Sequence, residues 1–220
     1  MKRYLPFIIV GLVAALAIGS GAFLYQRKRA QNAPAKISKT ETESSGKIVH
    51  MLGPDDAPVT VEEFGDFQCP PCAKLSEPIN QVQKKYNIRV IYRNFPLPNH
   101  RWAKDAACAA EAAGRQGKFW EMHDVLYREQ AVWSQSIDAP TLFKAYAGMI
   151  QLDLNKFKED VDNPEVQRQV ETDHERGVAI GVKTTPTVFL NNQAVPANQL
   201  SPEEFPKAVE AAINQAKPSS

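Results

Sequence analysis

Apolar and polar positions along the chain change rhythm several times, and each change marks an element. Leu5 to Tyr25 carries no charge over 21 residues, which as a helix would extend roughly 31 Å, enough for a bilayer core. The stretch that follows, as far as Gly46, is polar and almost free of apolar residues, the composition of a flexible tether. Lys47 to Leu52 reads as a short strand, ended by Gly53-Pro54-Asp55-Asp56. Val59-Thr60-Val61-Glu62-Glu63-Phe64 reads as a buried strand over 58–65. Leu75, Ile79, Val82 and Tyr86 recur at helical spacing and predict a helix over about 70–86, which Pro78 should kink or end early. Ile88 to Phe95 is the next apolar strand.

From about 100 to 180 the rhythm is helical. Alanines from Ala103 to Ala113 are strong helix formers as far as Gly114, and Phe119 to Tyr127 is a second amphipathic piece. Asp138-Ala139-Pro140 and Asn163-Pro164 each look like an N-cap followed by an early-turn proline. Thr184-Thr185-Pro186 then leads into a strand over 187–190, an Asn191-Asn192 turn and a short strand near Ala194-Val195. Ser201-Pro202-Glu203-Glu204 carries the capping-box pattern for a last helix. The predicted order is βαβ, a helical insert over about 98–181, then ββα.

Composition narrows the classes. Net charge is +1 with basic and acidic residues interspersed, so no nucleic-acid partner is expected. Three cysteines in 220 residues are too few for a disulfide scaffold, and the cysteine signal therefore concerns chemistry. Residues 47–217 suit one domain with a sizeable core. No dimerisation module fits ahead of it, so a monomer is expected. Lys2 and Arg3 before the uncharged run, and Arg27-Lys28-Arg29 after it, make residues 1–26 read as a membrane anchor and 27–46 as a linker. The alternative is a cleaved signal peptide with Ala15-Leu16-Ala17 as its site, leaving a soluble domain.

The chemistry concentrates in Cys69-Pro70-Pro71-Cys72, placed between a buried strand and a helix start. Two thiols at this spacing close a disulfide on each other or hand it to another protein, although the same spacing opens many zinc sites. His50, His100, His123 and His174 show no zinc-type spacing, and neither a metal nor another cofactor is expected. Thiolate is the attacking species. Cys69, at the helix edge, should be the exposed nucleophile, because the helix dipole and free N–H groups favour its charge. Cys72, one turn inside, should be less accessible and resolve the mixed disulfide. Neither Pro70 nor Pro71 has an N–H, so local donors to the sulfur fall on Cys72 and beyond. Cys108, among alanines, reads as a small buried hydrophobe, with regulatory pairing as the alternative. His123, Trp102, Phe119, Trp120 and Tyr127 read as packing of the insert.

The passage Phe64-Gly65-Asp66-Phe67-Gln68-Cys69-Pro70-Pro71-Cys72 resembles the DsbA-like branch of the thioredoxin superfamily, in its membrane-attached bacterial subgroup. Asn94-Phe95-Pro96-Leu97 with His100, and Phe119-Trp120-Glu121-Met122-His123-Asp124, look like that family too. The resemblance implies an α/β thioredoxin fold with an inserted helical domain, and thiol–disulfide exchange on extracytoplasmic proteins. It also implies Glu63 as a buried proton acceptor for Cys72, and Pro186 as a cis-proline beside the cysteines. Thr185 would then offer its backbone to an extended substrate strand. Three functions remain open from sequence. One is an anchored oxidase of translocated proteins, recharged by a quinone-linked membrane partner. Another is a reductase or isomerase kept reduced by a membrane electron carrier, which Thr185 and the lack of a histidine between the cysteines favour. The third is a copper carrier.

Overall fold

The computed structural model of the chain describes residues 50–216. The predicted anchor over 1–26 and linker over 27–46 lie outside those residues. No helix among the described residues is long and apolar enough to cross a membrane.

Five strands form one sheet in the order β1 (Met51–Leu52), β3 (Ile88–Asn94), β2 (Val59–Gly65), β4 (Thr187–Leu190), β5 (Gln193–Ala194). β2 and β3 run parallel, with Val61 opposite Val90 and Glu63 opposite Tyr92, while every other pairing is antiparallel. The helix α1 (Pro70–Lys85) makes the crossover between β2 and β3. Because side chains alternate along a strand, β2 sorts its residues onto two faces. Val59 and Val61 pack with Leu75, Ile79 and Val82 of α1 and with Phe205 and Val209 of the last helix, α8 (Phe205–Ala216). Burying a side chain such as Leu75, which has no exposed surface, stabilises the fold by about 1.5–3 kcal/mol. On the other face Phe64 meets Phe95, Val182 and Phe189.

The insert comprises α2 (Ala103–Gly114), α3 (Phe119–Arg128), α4 (Gln130–Trp133), α5 (Ala139–Met149), α6 (Leu154–Val161) and α7 (Pro164–Ala179). Asp138 caps α5 by accepting from Thr141 N–H, and Asn163 caps α7 by accepting from Glu165 N–H, each followed by proline inside the first turn. Alanines along α2 are fully buried, which lets the neighbouring helices approach it closely. α7 lies against the Phe64 face: a methyl group added at Gly177 would sit 2.7 Å from the Phe95 ring.

Two local expectations are corrected. Pro78 does not end α1, which runs unbroken to Lys85. Its missing N–H falls in the third turn and costs a single ladder bond, while its buried ring packs into the core. Of the capping box only the Ser201 half forms: its hydroxyl accepts from Glu204 N–H and its carbonyl from Phe205 N–H at the entrance of α8. Glu204 instead pairs with Lys207 at 2.7 Å.

Candidate active site: two cysteines at a helix entrance

β2 delivers the chain into the turn 66–69, and Cys69 is the N-cap of α1, with Pro70 and Pro71 as its first two residues. Proline is suited to that position because its fixed φ matches the helix and its missing N–H is not needed there. The Cys69 carbonyl accepts from Cys72 N–H at 3.1 Å and Ala73 N–H at 3.2 Å, which starts the helix ladder. Both cysteines stand as free thiols in this structure.

Cys69 is only 5% exposed and Cys72 fully buried, so the nucleophile is the more accessible of the two but is not an exposed residue. The reason is the loop ahead of β4. The Thr185–Pro186 peptide is cis, and the Thr185 carbonyl comes within 3.2 Å of Cys69 Sγ, accepting from the neutral thiol.

The two sulfurs are electrically unequal. Cys69 is lowered to about 6, first by a hydrogen bond from the Cys72 side chain. Thr185 and the Cys72 N–H add to this, against burial and the Asp66 charge. The Thr185 hydroxyl is buried with no other partner, which leaves it available to the ionised sulfur. Cys72 is pushed well above the ordinary thiol range, mainly by burial and also by its bond to Cys69 and by the charge of Glu63. One thiolate is thus shared unevenly, with Cys69 carrying the charge and Cys72 the proton.

Glu63 lies on the same face of β2 as Val61, against α1. Burial, reinforced by the charge on Cys69, raises it to about 8, and its Oε1 has no hydrogen-bond partner. At neutral pH it is therefore mostly a protonated acid beside two sulfurs. Opposite it, Tyr92 meets Tyr127 at 2.8 Å between hydroxyls, and burial pushes both phenols up. Gly65 admits this pair: an added Cβ would lie 2.7 Å from the Tyr92 hydroxyl oxygen and 2.9 Å from that of Tyr127.

Sequence reasoning missed the groups that hold the turn. Asp66 accepts from Gln68 N–H (2.7 Å), Leu97 N–H (2.8 Å) and His100 Nδ1 (2.7 Å), and its own carbonyl accepts from Cys69 N–H (3.0 Å). Gln68 Oε1 accepts from Trp102 N–H at 2.6 Å. Gln130 donates to the Phe67 and Cys69 carbonyls. Asp66, Gln68 and His100 sit inside motif-like passages, but Gln130 follows an ordinary amphipathic helix with no signal that marks it. Elsewhere, Cys108 is buried and raised to about 11, chiefly by desolvation, as a packed thiol would be. His123 is buried among Phe67, Tyr92, Trp120 and Tyr127, and burial lowers its basicity.

A thioredoxin family model matches residues 44–211. Among solved structures, oxidised BdbD from Bacillus subtilis superposes with a TM-score of 0.67 at 26% identity, covering 83% of this chain and 98% of that one. A thioredoxin-like oxidoreductase from Silicibacter pomeroyi superposes equally well, TM-score 0.67, at 24% identity over 84% of this chain and all of that one. Among curated proteins, a Na(+)/H(+) antiporter NhaA 1 of Salinispora arenicola is 34% identical over 195 residues, 83% of this chain. The chain spans only 29% of that relative's length, and the antiporter name describes the longer protein.

Proposed function

The chain belongs to the thioredoxin family, as a DsbA-like protein thiol–disulfide oxidoreductase, and we propose that it works in the oxidising direction on cysteines of translocated proteins. The observation that carries this reading is the unequal sulfur pair, Cys69 lowered to about 6 and Cys72 raised. A stabilised Cys69 thiolate favours the reduced form of the pair, and so makes its disulfide a better oxidant.

The exchange runs as two displacements. A substrate thiolate attacks Cys69 Sγ of the disulfide; the Cys69–Cys72 bond breaks and Cys72 leaves with the electron pair. Glu63, a protonated acid at neutral pH, supplies the proton that the buried Cys72 sulfur needs. A second substrate thiolate then attacks the substrate sulfur of the mixed disulfide. Cys69 departs as a thiolate, stabilised by the Cys72 thiol and by Thr185. Substrate is oxidised by two electrons and the enzyme reduced by two. The edge beside Thr185 and Pro186 is where an extended substrate segment would lie, by strand addition.

In this reading Leu5 to Tyr25 anchors the domain on the extracytoplasmic face of a bacterial membrane, the compartment in which disulfides persist. A quinone-linked membrane oxidase recharges the pair, and the domain acts as a monomer. N-terminal sequencing of the mature protein separates an anchor from a cleaved leader. A reductase fed by a membrane electron carrier is the second reading, favoured by threonine before the cis-proline and by the absence of histidine between the cysteines. Equilibration with glutathione decides between them. The oxidase reading expects a potential well above thioredoxin's, toward about −120 to −180 mV; a value near −270 mV transfers the assignment to the reductase.

A further inference from the structure

The turn that presents Cys69 is gripped from the insert by one side chain that the exchange steps do not use. Gln130 opens α4, is 8% exposed, and sends its Nε2 to the carbonyls of the two residues on either side of Gln68. It donates to the Phe67 carbonyl at 2.6 Å and to the Cys69 carbonyl at 3.0 Å. The short helix is itself fixed. Trp133 is completely buried and donates its ring N–H to the Leu126 carbonyl at 2.7 Å, while the Ser134 carbonyl accepts from Gln68 Nε2.

The Cys69 N-cap has no side-chain cap bond of its own, and two prolines follow it. Its backbone is therefore oriented by its N–H bond to the Asp66 carbonyl and by what bonds its own carbonyl. Two helix N–H groups hold that oxygen from the α1 side and Gln130 holds it from the insert side. A carbonyl oxygen is the negative end of a peptide dipole. With both oxygens tied to one amide, neither swings toward the sulfur, and the sulfur stays in register with the helix N–H groups. Without the Gln130 amide the Phe67 carbonyl loses this donor and the Cys69 carbonyl is held from the α1 side alone, which frees the turn to reorient.

We propose that Gln130 is a positioning residue for disulfide exchange, its amide holding the Phe67 and Cys69 carbonyls so that the Cys69 sulfur remains at the helix entrance. The proposal rests on the exchange reading for its consequence but not for its measurement. Gln130→Met keeps the volume and removes the donors; Gln130→Glu keeps the shape and turns an acceptor toward two carbonyls. Thiolate absorbance and iodoacetamide alkylation against pH are read for each. Both variants are expected to ionise Cys69 at higher pH, with alkylation near pH 6 about three- to tenfold slower for Met and slower still for Glu. Their glutathione equilibria should move toward disulfide by a similar factor. Ionisation and equilibrium unchanged in a variant that only melts earlier would overturn the proposal and leave Gln130 as packing. Should Gln130→Met not fold, Gln130→Asn, with its amide one methylene short, is read for the same quantities. Failure of the unsubstituted protein to exchange disulfides would instead overturn the function, while the ionisation comparison still decides the role of Gln130.

Discussion

Two adjacent glutamates on β2 meet opposite fates. Glu62 points away from α1, where its Oε1 accepts from Arg93 Nε and Arg176 Nε, each at 3.1 Å, and its Oε2 from Arg176 Nη2 at 3.1 Å. Asp173 of α7 completes the group by pairing with Arg93 Nη1 at 2.9 Å. Glu63 points toward α1, keeps an unpartnered Oε1, and is raised to about 8 by burial and the Cys69 charge. Both carboxyls are buried. The difference lies in what faces them: compensated, a buried carboxylate ties the insert to the sheet; uncompensated, it becomes a proton reservoir beside the sulfurs.

The largest effect expected from breaking this contrast is on the compensated side. Glu62→Ala leaves two buried guanidinium groups without their shared carboxylate and should cost about 3–5 kcal/mol in urea unfolding. The sulfur chemistry in whatever remains folded should change little.

Glu63→Gln should act in the reverse sense. The folded carboxyl binds its proton up to about pH 8, whereas the unfolded one releases it near the ordinary carboxyl value of 4.5. Folding therefore takes up a proton between those values, and the ionised group destabilises the native state increasingly as pH rises. The variant should match the parent near pH 4 and exceed it by a few kcal/mol above pH 8, while the step that protonates or deprotonates Cys72 slows by about 10²-fold. A stability gain independent of pH would contradict the assignment.

Cys69 has the opposite linkage in the reduced protein. Its folded value of about 6 lies below the ordinary thiol value of 9.0. Reduced-state stability should rise with pH across that interval and be lost as pH falls through about 6. Cys69→Ser, compared with the reduced parent by thermal unfolding, should abolish that slope. Smaller again is Tyr127→Phe. It leaves the buried Tyr92 hydroxyl without its partner and should cost about 1–3 kcal/mol, with Cys69 alkylation nearly unchanged.

Much of this contrast was legible in the chain. Val59, Val61 and Phe64 set the strand, and the alternation of side chains along any strand puts Glu62 and Glu63 on opposite faces. Proline after Asn163 and near Asp138 marked two helix starts that form as read. Long-range partners were not legible. Nothing near Glu62 announces Arg176, 114 positions later, and nothing near Cys69 announces Gln130, 61 positions later. Both contacts exist only once the insert folds back on the sheet. Likewise the Thr185–Pro186 loop, 116 positions on, covers Cys69, which helix position alone suggested would be open. Local periodicity places side chains on faces, and only packing decides what those faces meet.

The central claim is that Cys69 holds the charge of the pair, and thiolate absorbance of the reduced protein, followed from pH 4 to 10, tests it most directly. The account predicts one sulfur ionising with a midpoint near pH 6 and a second remaining protonated beyond the ordinary thiol range. The first transition should disappear in Cys69→Ser. Two sulfurs ionising together near 9 would contradict it.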